Sequence, residues 1–79
     1  MDSMEEQFRH LLGVPPAHAL KLTRLKRRSA GVEYLDFEEH DDEGNLVALH
    51  HWWDRPLQNE SGWRKTAPEG SLLKERATR

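Results

Sequence analysis

Apolar residues near the N-terminus recur at the spacing of an amphipathic helix. Four of them share one helical stripe at i, i+4, i+7 and i+8: Met4, Phe8, Leu11 and Leu12. Ser3 and Glu6 form a capping-box pattern at the start of this segment. Gly13 and the two prolines that follow it forbid continuation of a helix. The pattern predicts a short amphipathic helix over about residues 4–12.

Beyond the prolines, the segment "ALKLTRLKRR" (residues 19–28) is compatible with a helix or a strand, and its charges favour the strand. We expect a three-residue turn at 29–31, in which Gly31 takes the position that needs positive φ. The resulting antiparallel register pairs Arg28 with Val32, Arg27 with Glu33, Leu25 with Leu35, Arg24 with Asp36, and Lys21 with Glu39. Three opposite-charge pairs and one apolar pair in a single register indicate good cross-strand complementarity.

The rest of the chain reads as further short strands separated by turn residues. We expect strands at 32–40 and 45–53, a loop at 54–62, a weaker hairpin formed by 63–66 and 72–75, and a frayed end at 76–79. Two of the turns share the pattern Glu-Gly-x-Leu, at Glu43 and again at Glu69. The predicted fold class is α+β: a short N-terminal amphipathic helix packed on an antiparallel β-meander of four to five strands, about residues 19–76.

Size and composition limit the class of protein. With 79 residues and no cysteine, the chain is expected to form a single small domain over residues 1–79, without disulfides or cysteine-based zinc sites. No apolar run is long enough to span a bilayer, and the acidic N-terminus lacks the features of a signal peptide. We therefore expect a cytoplasmic protein with no membrane contact.

The net charge of −2 conceals a strong segregation along the chain. It is +3 over residues 1–28, −8 over residues 29–61 and +3 over residues 62–79. An acidic middle between two basic flanks favours internal pairing.

The segment "VALHHWWDRP" (residues 47–56) holds the densest candidate chemistry. In a strand, successive side chains point to opposite faces, so His50 and Trp52 would share one face while His51 and Trp53 share the other. The two histidines therefore diverge and do not chelate one metal. A zinc site would need His18, His40 or Asp41 from elsewhere, at spacings unlike any zinc motif, so we expect no metal and no cofactor.

Both faces of this strand are apolar and aromatic, whereas the chain offers one helix to cover them. The uncovered face predicts a protein-interaction surface, for another protein or for a second copy in a homodimer. The predicted contact residues are Tyr34, Leu49, His51, Trp53 and Trp63, with Asp41, Asp42 and Glu43 as an acidic steering patch. The alternative is a sheet that curls on itself, with Trp63 as the plug of the core.

A second functional hypothesis is a nucleic-acid-binding regulator. Its contact residues would be Lys21, Arg24, Lys26, Arg27 and Arg28. Against it, the predicted register pairs three of these residues with acidic partners, and the sequence pI of about 6.2 is unlike that of a dedicated nucleic-acid protein.

The sequence lacks two common catalytic motifs and a calcium-binding loop. There is no G-x-S-x-G and no glycine-rich phosphate loop, and a calcium loop beginning at Asp41 fails at its sixth and twelfth positions, Leu46 and Trp52. We expect a non-catalytic accessory or regulatory protein.

Overall fold

The computed structural model describes residues 4–78, and within this range the chain folds as one helix and a five-stranded antiparallel sheet. The elements are α1 (Met4–Leu12), β1 (Ala19–Arg27), β2 (Glu33–His40), β3 (Leu46–Arg55), β4 (Glu60–Thr66) and β5 (Leu72–Thr78). The strands neighbour one another in chain order. The predicted α+β meander is confirmed. Within residues 4–78, no helix has the length and apolar character needed to cross a membrane.

Helix α1 lies on one side of the sheet through its apolar stripe. The Phe8 ring packs 5.0 Å from that of Phe37 and meets Trp52 edge-on at 5.2 Å. Leu12 is buried, but Leu11 is 50% exposed, so the stripe is narrower than the sequence predicted. Gly13 has φ of +68°, as a helix C-cap requires. The expected N-cap Ser3 lies outside the described residues.

The register of β1 and β2 is confirmed from the turn as far as Arg24, which lies opposite Asp36. A bulge then shifts it, so Lys21 lies opposite Glu38, and its predicted pairing with Glu39 is wrong. The extra residue is Thr23, whose hydroxyl donates to the Asp36 carbonyl oxygen at 3.2 Å.

The bulge brings Leu22 onto the helix side of the sheet, where it packs against the core, while Leu25 stays opposite Leu35 and is 45% exposed. Without it, strict alternation would place Leu22 and Leu25 on opposite faces of the sheet. With the extra residue, both leucines lie on the helix side, Leu22 opposite Phe37 and Leu25 opposite Leu35.

The predicted loop at 54–62 is largely strand. β3 continues to Arg55 and β4 begins at Glu60, leaving a tight turn that Pro56 opens as a short 3₁₀ helix. Asn59 closes it with φ of +54° while its N–H donates to the Pro56 carbonyl oxygen. The predicted fraying is also wrong for residues 76–78, which lie in β5. Polar side chains concealed both extensions, because edge and surface strands accept them.

The sheet has two unlike faces. The covered face lies against α1 and carries Leu20, Leu35, Phe37, Glu39, Ala48, His50, Trp52 and Trp63. The open face is the opposite one and carries Tyr34, Asp36, Leu49, His51, Trp53 and Arg64. Buried apolar side chains of the covered face and Leu12 of α1 form the core.

Candidate functional site

The histidine–tryptophan quartet divides between the two faces, as strand alternation predicts. His50 is fully buried on the covered face, and Trp52 beside it contacts Phe8. His51 and Trp53 point to the open face, where the His51 side chain is 44% exposed. Adjacent residues with the same side chain therefore meet different environments.

A shallow cleft of about 600 Å³ occupies the open face near the β1–β2 turn. Its lining residues are Arg24, Lys26, Arg28, Tyr34, Asp36, His51, Trp52, Trp53, Arg55 and Arg64. Five of them are Lys or Arg, and a single carboxylate, Asp36, stands against them. The cleft is therefore a local positive region on a chain whose net charge is −2.

Aromatic side chains form the floor of this cleft. Lys26, Tyr34, Trp53 and Gly62 lie in one transverse row, because each is the direct cross-strand partner of the next. A Cβ built on Gly62 would lie 2.8 Å from Cζ2 of Trp53 and 2.4 Å from the Arg76 carbonyl oxygen. The indole therefore lies close to the Gly62 backbone, where any other residue would displace it.

The second transverse row is polar. Arg24, Asp36, His51, Arg64 and Glu75 follow one another across the five strands. His51 Nδ1 lies 2.8 Å from Asp36 Oδ1, and Arg24 Nε lies 3.8 Å from the other carboxylate oxygen. These contacts hold the imidazole over the sheet and engage the one carboxylate of the cleft.

The cations differ in how firmly they are held. Arg64 pairs with Glu75 at 2.6 Å, whereas Arg55 donates to the Tyr34 hydroxyl at 3.0 Å and stands 3.5 Å from Glu60. These exposed ion pairs contribute little stability. Lys26 and Arg28 make no ion pair with any residue in the described range 4–78. They are the cations most available to an incoming anion.

A different polar cluster is buried beneath the helix. Glu39 accepts from His18 through Oε2, 2.5 Å from Nδ1, and from His50 through Oε1, 2.8 Å from Nε2. Glu39 is 3% exposed and His50 is not exposed at all. This His18–Glu39–His50 cluster ties the loop after α1 to the two central strands.

Burial and hydrogen bonding set the charges of this cluster. Burial alone would raise the pKa of Glu39, but hydrogen bonds from His18 and His50 and the charge of Lys65 outweigh it, so that the pKa lies below its ordinary value. Burial lowers the pKa of His50, with Glu39 opposing it only in part. A charged carboxylate therefore meets a neutral His50 at neutral pH.

The geometry of the cluster is that of a structural network. Both oxygens of Glu39 already face an imidazole nitrogen, so neither is left for a further ligand. The buried His50 Nδ1 has no hydrogen-bond partner among residues 4–78. No group of three His, Asp or Glu side chains between residues 4 and 78 is arranged to hold a metal ion. From the sequence, His18 is a candidate only as a metal ligand. No pattern in the sequence distinguishes Glu39 from the other acidic residues.

The structure combines parts of the two residue sets predicted for function. Tyr34, His51 and Trp53, expected to bind a protein, line the same cleft as Arg24, Lys26 and Arg28, expected to bind nucleic acid. Arg55 and Arg64 join them and were missed. Arg55 could have been predicted, because it lies two residues after Trp53 and therefore shares its face if the strand continues.

Several predicted contact residues lie elsewhere. Trp63 is on the covered face and 7% exposed, which matches the alternative reading of a core plug. Leu49 is on the open face outside the cleft, and Lys21 lies farther along β1. Arg27 points to the helix side, where its Nε stands 3.1 Å from Glu33.

The acidic steering patch is the β2–β3 turn, at the opposite end of β2 from the cleft. Asp41 accepts hydrogen bonds from the backbone N–H groups of Glu43 and Asn45, both at 2.9 Å. Hydrogen bonding from Asn45 is the main cause that lowers the pKa of Asp41. Asp41 thus stabilises the turn, while Asp42 and Glu43 are exposed.

Comparison of this chain with models of protein families, with curated proteins and with solved structures finds no match. Any indication of function therefore comes from the geometry of the open face.

Proposed function

We propose that this chain is a non-catalytic interaction module that binds an anionic partner on the open face of its sheet. The observation that supports it is the convergence of five cations on a cleft with an aromatic floor and one carboxylate. Aromatic residues and arginine are the side chains most enriched where binding energy concentrates. An accessory role in a reducing cytoplasm is part of the proposal, since the chain has no cysteine.

Binding accounts for the cleft better than catalysis does. The His51–Asp36 pair has the form of an oriented base, but no serine, threonine or cysteine is among the side chains that line the described cleft. His51 is 44% exposed and Asp36 is 29% exposed, so bulk water reaches both groups. Tuning of catalytic pKa values depends on the exclusion of water, which this open face does not provide.

The charge distribution selects the sign of the partner. Lys26 and Arg28 are exposed at the edge of the sheet, and Arg24 is 67% exposed beside them. The acidic turn at 41–43 lies at the far end of β2, away from these cations. A bound anion would therefore be attracted to one end of the open face and repelled from the other.

The test compares two neighbouring residues of β1 by chromatography on immobilised heparin, a sulfated polyanion. Lys26→Gln and Arg27→Gln each remove one positive charge, but Lys26 points to the open face and Arg27 to the covered one. We expect the protein to be retained despite its negative net charge. Lys26→Gln should elute at lower salt than the wild type, and Arg27→Gln close to it.

Two outcomes would overturn the proposal. Failure of the folded wild type to bind heparin at low salt would show that the cleft has no affinity for anions. Equal losses in the two variants would show that overall charge, not the cleft, controls retention. Measurement of the solution mass of each variant would exclude self-association as the cause of any difference.

A further inference from the structure

We infer that the anionic partner of the cleft is single-stranded nucleic acid, with bases over the aromatic floor and phosphates along β1. This inference depends on the proposed function and specifies its ligand. It unites the aromatic and basic residue sets, which the sequence had assigned to two different partners.

Three planar side chains lie side by side on the open face. Tyr34, Trp53 and His51 are neighbours on the two central strands, and Tyr34 is the direct cross-strand partner of Trp53. Each is partly exposed on a sheet face that no helix within residues 4–78 covers. Aromatic side chains at the centre of an antiparallel sheet are platforms on which unpaired bases stack.

The cations of the cleft lie along the borders of this aromatic floor. Arg24, Lys26 and Arg28 occupy alternate positions along β1 and its end, so their Cα atoms follow one another at about 6.7 Å. That repeat is close to the distance between successive phosphates of an extended strand. Arg55 and Arg64 border the floor from β3 and β4. A base-binding floor with cations on its borders matches a chain of alternating planar and anionic groups.

The charged residues around the aromatic pair favour nucleic acid over an acidic protein segment. The centre of a protein–protein interface is depleted in charged residues other than arginine, whereas here a lysine, Lys26, is the direct cross-strand partner of Tyr34. Here the cations surround the aromatic pair itself, and the floor lacks a deep apolar pocket for an anchor side chain. A duplex is also disfavoured, because its bases are stacked internally and cannot lie on Tyr34 and Trp53.

The experiment measures binding to fluorescently labelled oligothymidine and oligouridine of about ten nucleotides by anisotropy, at low and at moderate salt. Competitors are a hairpin duplex and polyglutamate. We expect the single strands to bind more tightly than the duplex and polyglutamate to compete poorly. Lys26→Gln should weaken binding and reduce the salt slope by about 0.7, while Arg27→Gln leaves both unchanged.

Two substitutions of Trp53 test the contribution of base stacking to binding. Trp53→Leu should weaken binding about tenfold or more, and Trp53→Phe, which keeps an aromatic face, should recover part of that loss. Circular dichroism of each variant verifies the fold. Quenching of intrinsic fluorescence on binding should be reduced when Trp53 is replaced, since the Trp52 ring packs against Phe8 and Trp63 is buried on the covered face.

The outcomes separate this inference from the proposed function. If polyglutamate or heparin binds with the expected dependence on Lys26 while no oligonucleotide does, the module binds an acidic protein or a sulfated polymer, and this inference is wrong. If single strand and duplex bind equally and Trp53→Leu has no effect, the attraction is general electrostatics and the inference is equally wrong. If no polyanion binds the folded protein, both proposals fail.

Discussion

The two faces of the sheet use nearly the same side chains for opposite purposes. On the covered face, a histidine is buried against a glutamate and an indole packs against Phe8. On the open face, the next histidine meets an aspartate and the next indole lies over Gly62, both partly exposed. Strand parity, more than residue type, therefore decides whether an aromatic or titratable group is buried in the core or exposed on the open face.

The largest difference should appear in core packing. Phe37→Ala removes a side chain that is 1% exposed and contacts Phe8, so it should cost about 3–5 kcal/mol in the free energy of unfolding. Such a loss is a large fraction of the stability that a core of this size supplies. Tyr34→Ala, on the open face of the same strand, should cost clearly less. Urea denaturation followed by circular dichroism measures both, and equal losses would contradict the division into two faces.

The buried cluster gives the next largest effect. Glu39→Gln replaces a carboxylate that accepts from two imidazoles with an amide that can accept through one oxygen only, and it should cost about 1–3 kcal/mol. The matched change Glu38→Gln lies on the open face, where Glu38 contacts the partly exposed His40, and should cost less than about 1 kcal/mol. A larger loss for Glu38→Gln would refute a special role for Glu39.

Gly62→Ala tests the contact between the floor of the cleft and the sheet. The added Cβ would stand 2.4 Å from the Arg76 carbonyl oxygen and 2.8 Å from the Trp53 indole, so β5 or the indole must shift. We expect a loss of about 1–3 kcal/mol together with a change in near-ultraviolet circular dichroism. Unchanged stability and spectrum would mean that the indole does not lie over Gly62.

The smallest expected effect is a pH dependence of the free energy of unfolding, which we attribute to His50 and not to its neighbour His51. Since burial lowers the pKa of His50 below its ordinary value of 6.5, the unfolded chain takes up a proton first as the pH falls. Stability should therefore decrease on acidification from about pH 7 downward, and further below the ordinary value of 4.5 for Glu39, whose pKa is lowered in the folded protein.

His50→Leu should abolish the upper part of this pH dependence, whereas His51→Leu should preserve it. Denaturation midpoints at a series of pH values for both variants provide the check. If His51→Leu flattened the profile and His50→Leu did not, the titrating group would lie on the open face.

Most of the fold was accessible from the sequence because local patterns agree with it. The apolar stripe with Gly13 predicted α1, and charge pairing across the 29–31 turn predicted the register as far as Arg24. The repeated Glu-Gly-x-Leu pattern marks two turns whose glycines, Gly44 and Gly70, both have positive φ. In each case the determining interaction is between near neighbours in sequence.

What the sequence missed depends on contacts between distant residues. The bulge at Thr23 places Leu22 against the core while Leu25 keeps its pairing with Leu35. The extent of β3 and β4 depends on their pairing with each other. Glu39 was hidden among acidic residues, because its burial requires His18 and His50 to arrive from separate elements. A predicted loop as long as 54–62 does not determine which face of the next strand carries Trp63. The sequence therefore places Trp63 on the binding surface, whereas the structure buries it.

The Trp53 indole lies on the open, cation-bordered face, whereas the Trp63 indole is buried on the covered face. The most direct test is a titration of ¹⁵N-labelled protein with a short heparin oligosaccharide, following the indole N–H signals assigned through Trp53→Phe and Trp63→Phe. We expect the Trp53 signal to shift progressively while the Trp63 signal stays in place. Equal shifts of the two signals, or a stationary Trp53 signal, would contradict this expectation.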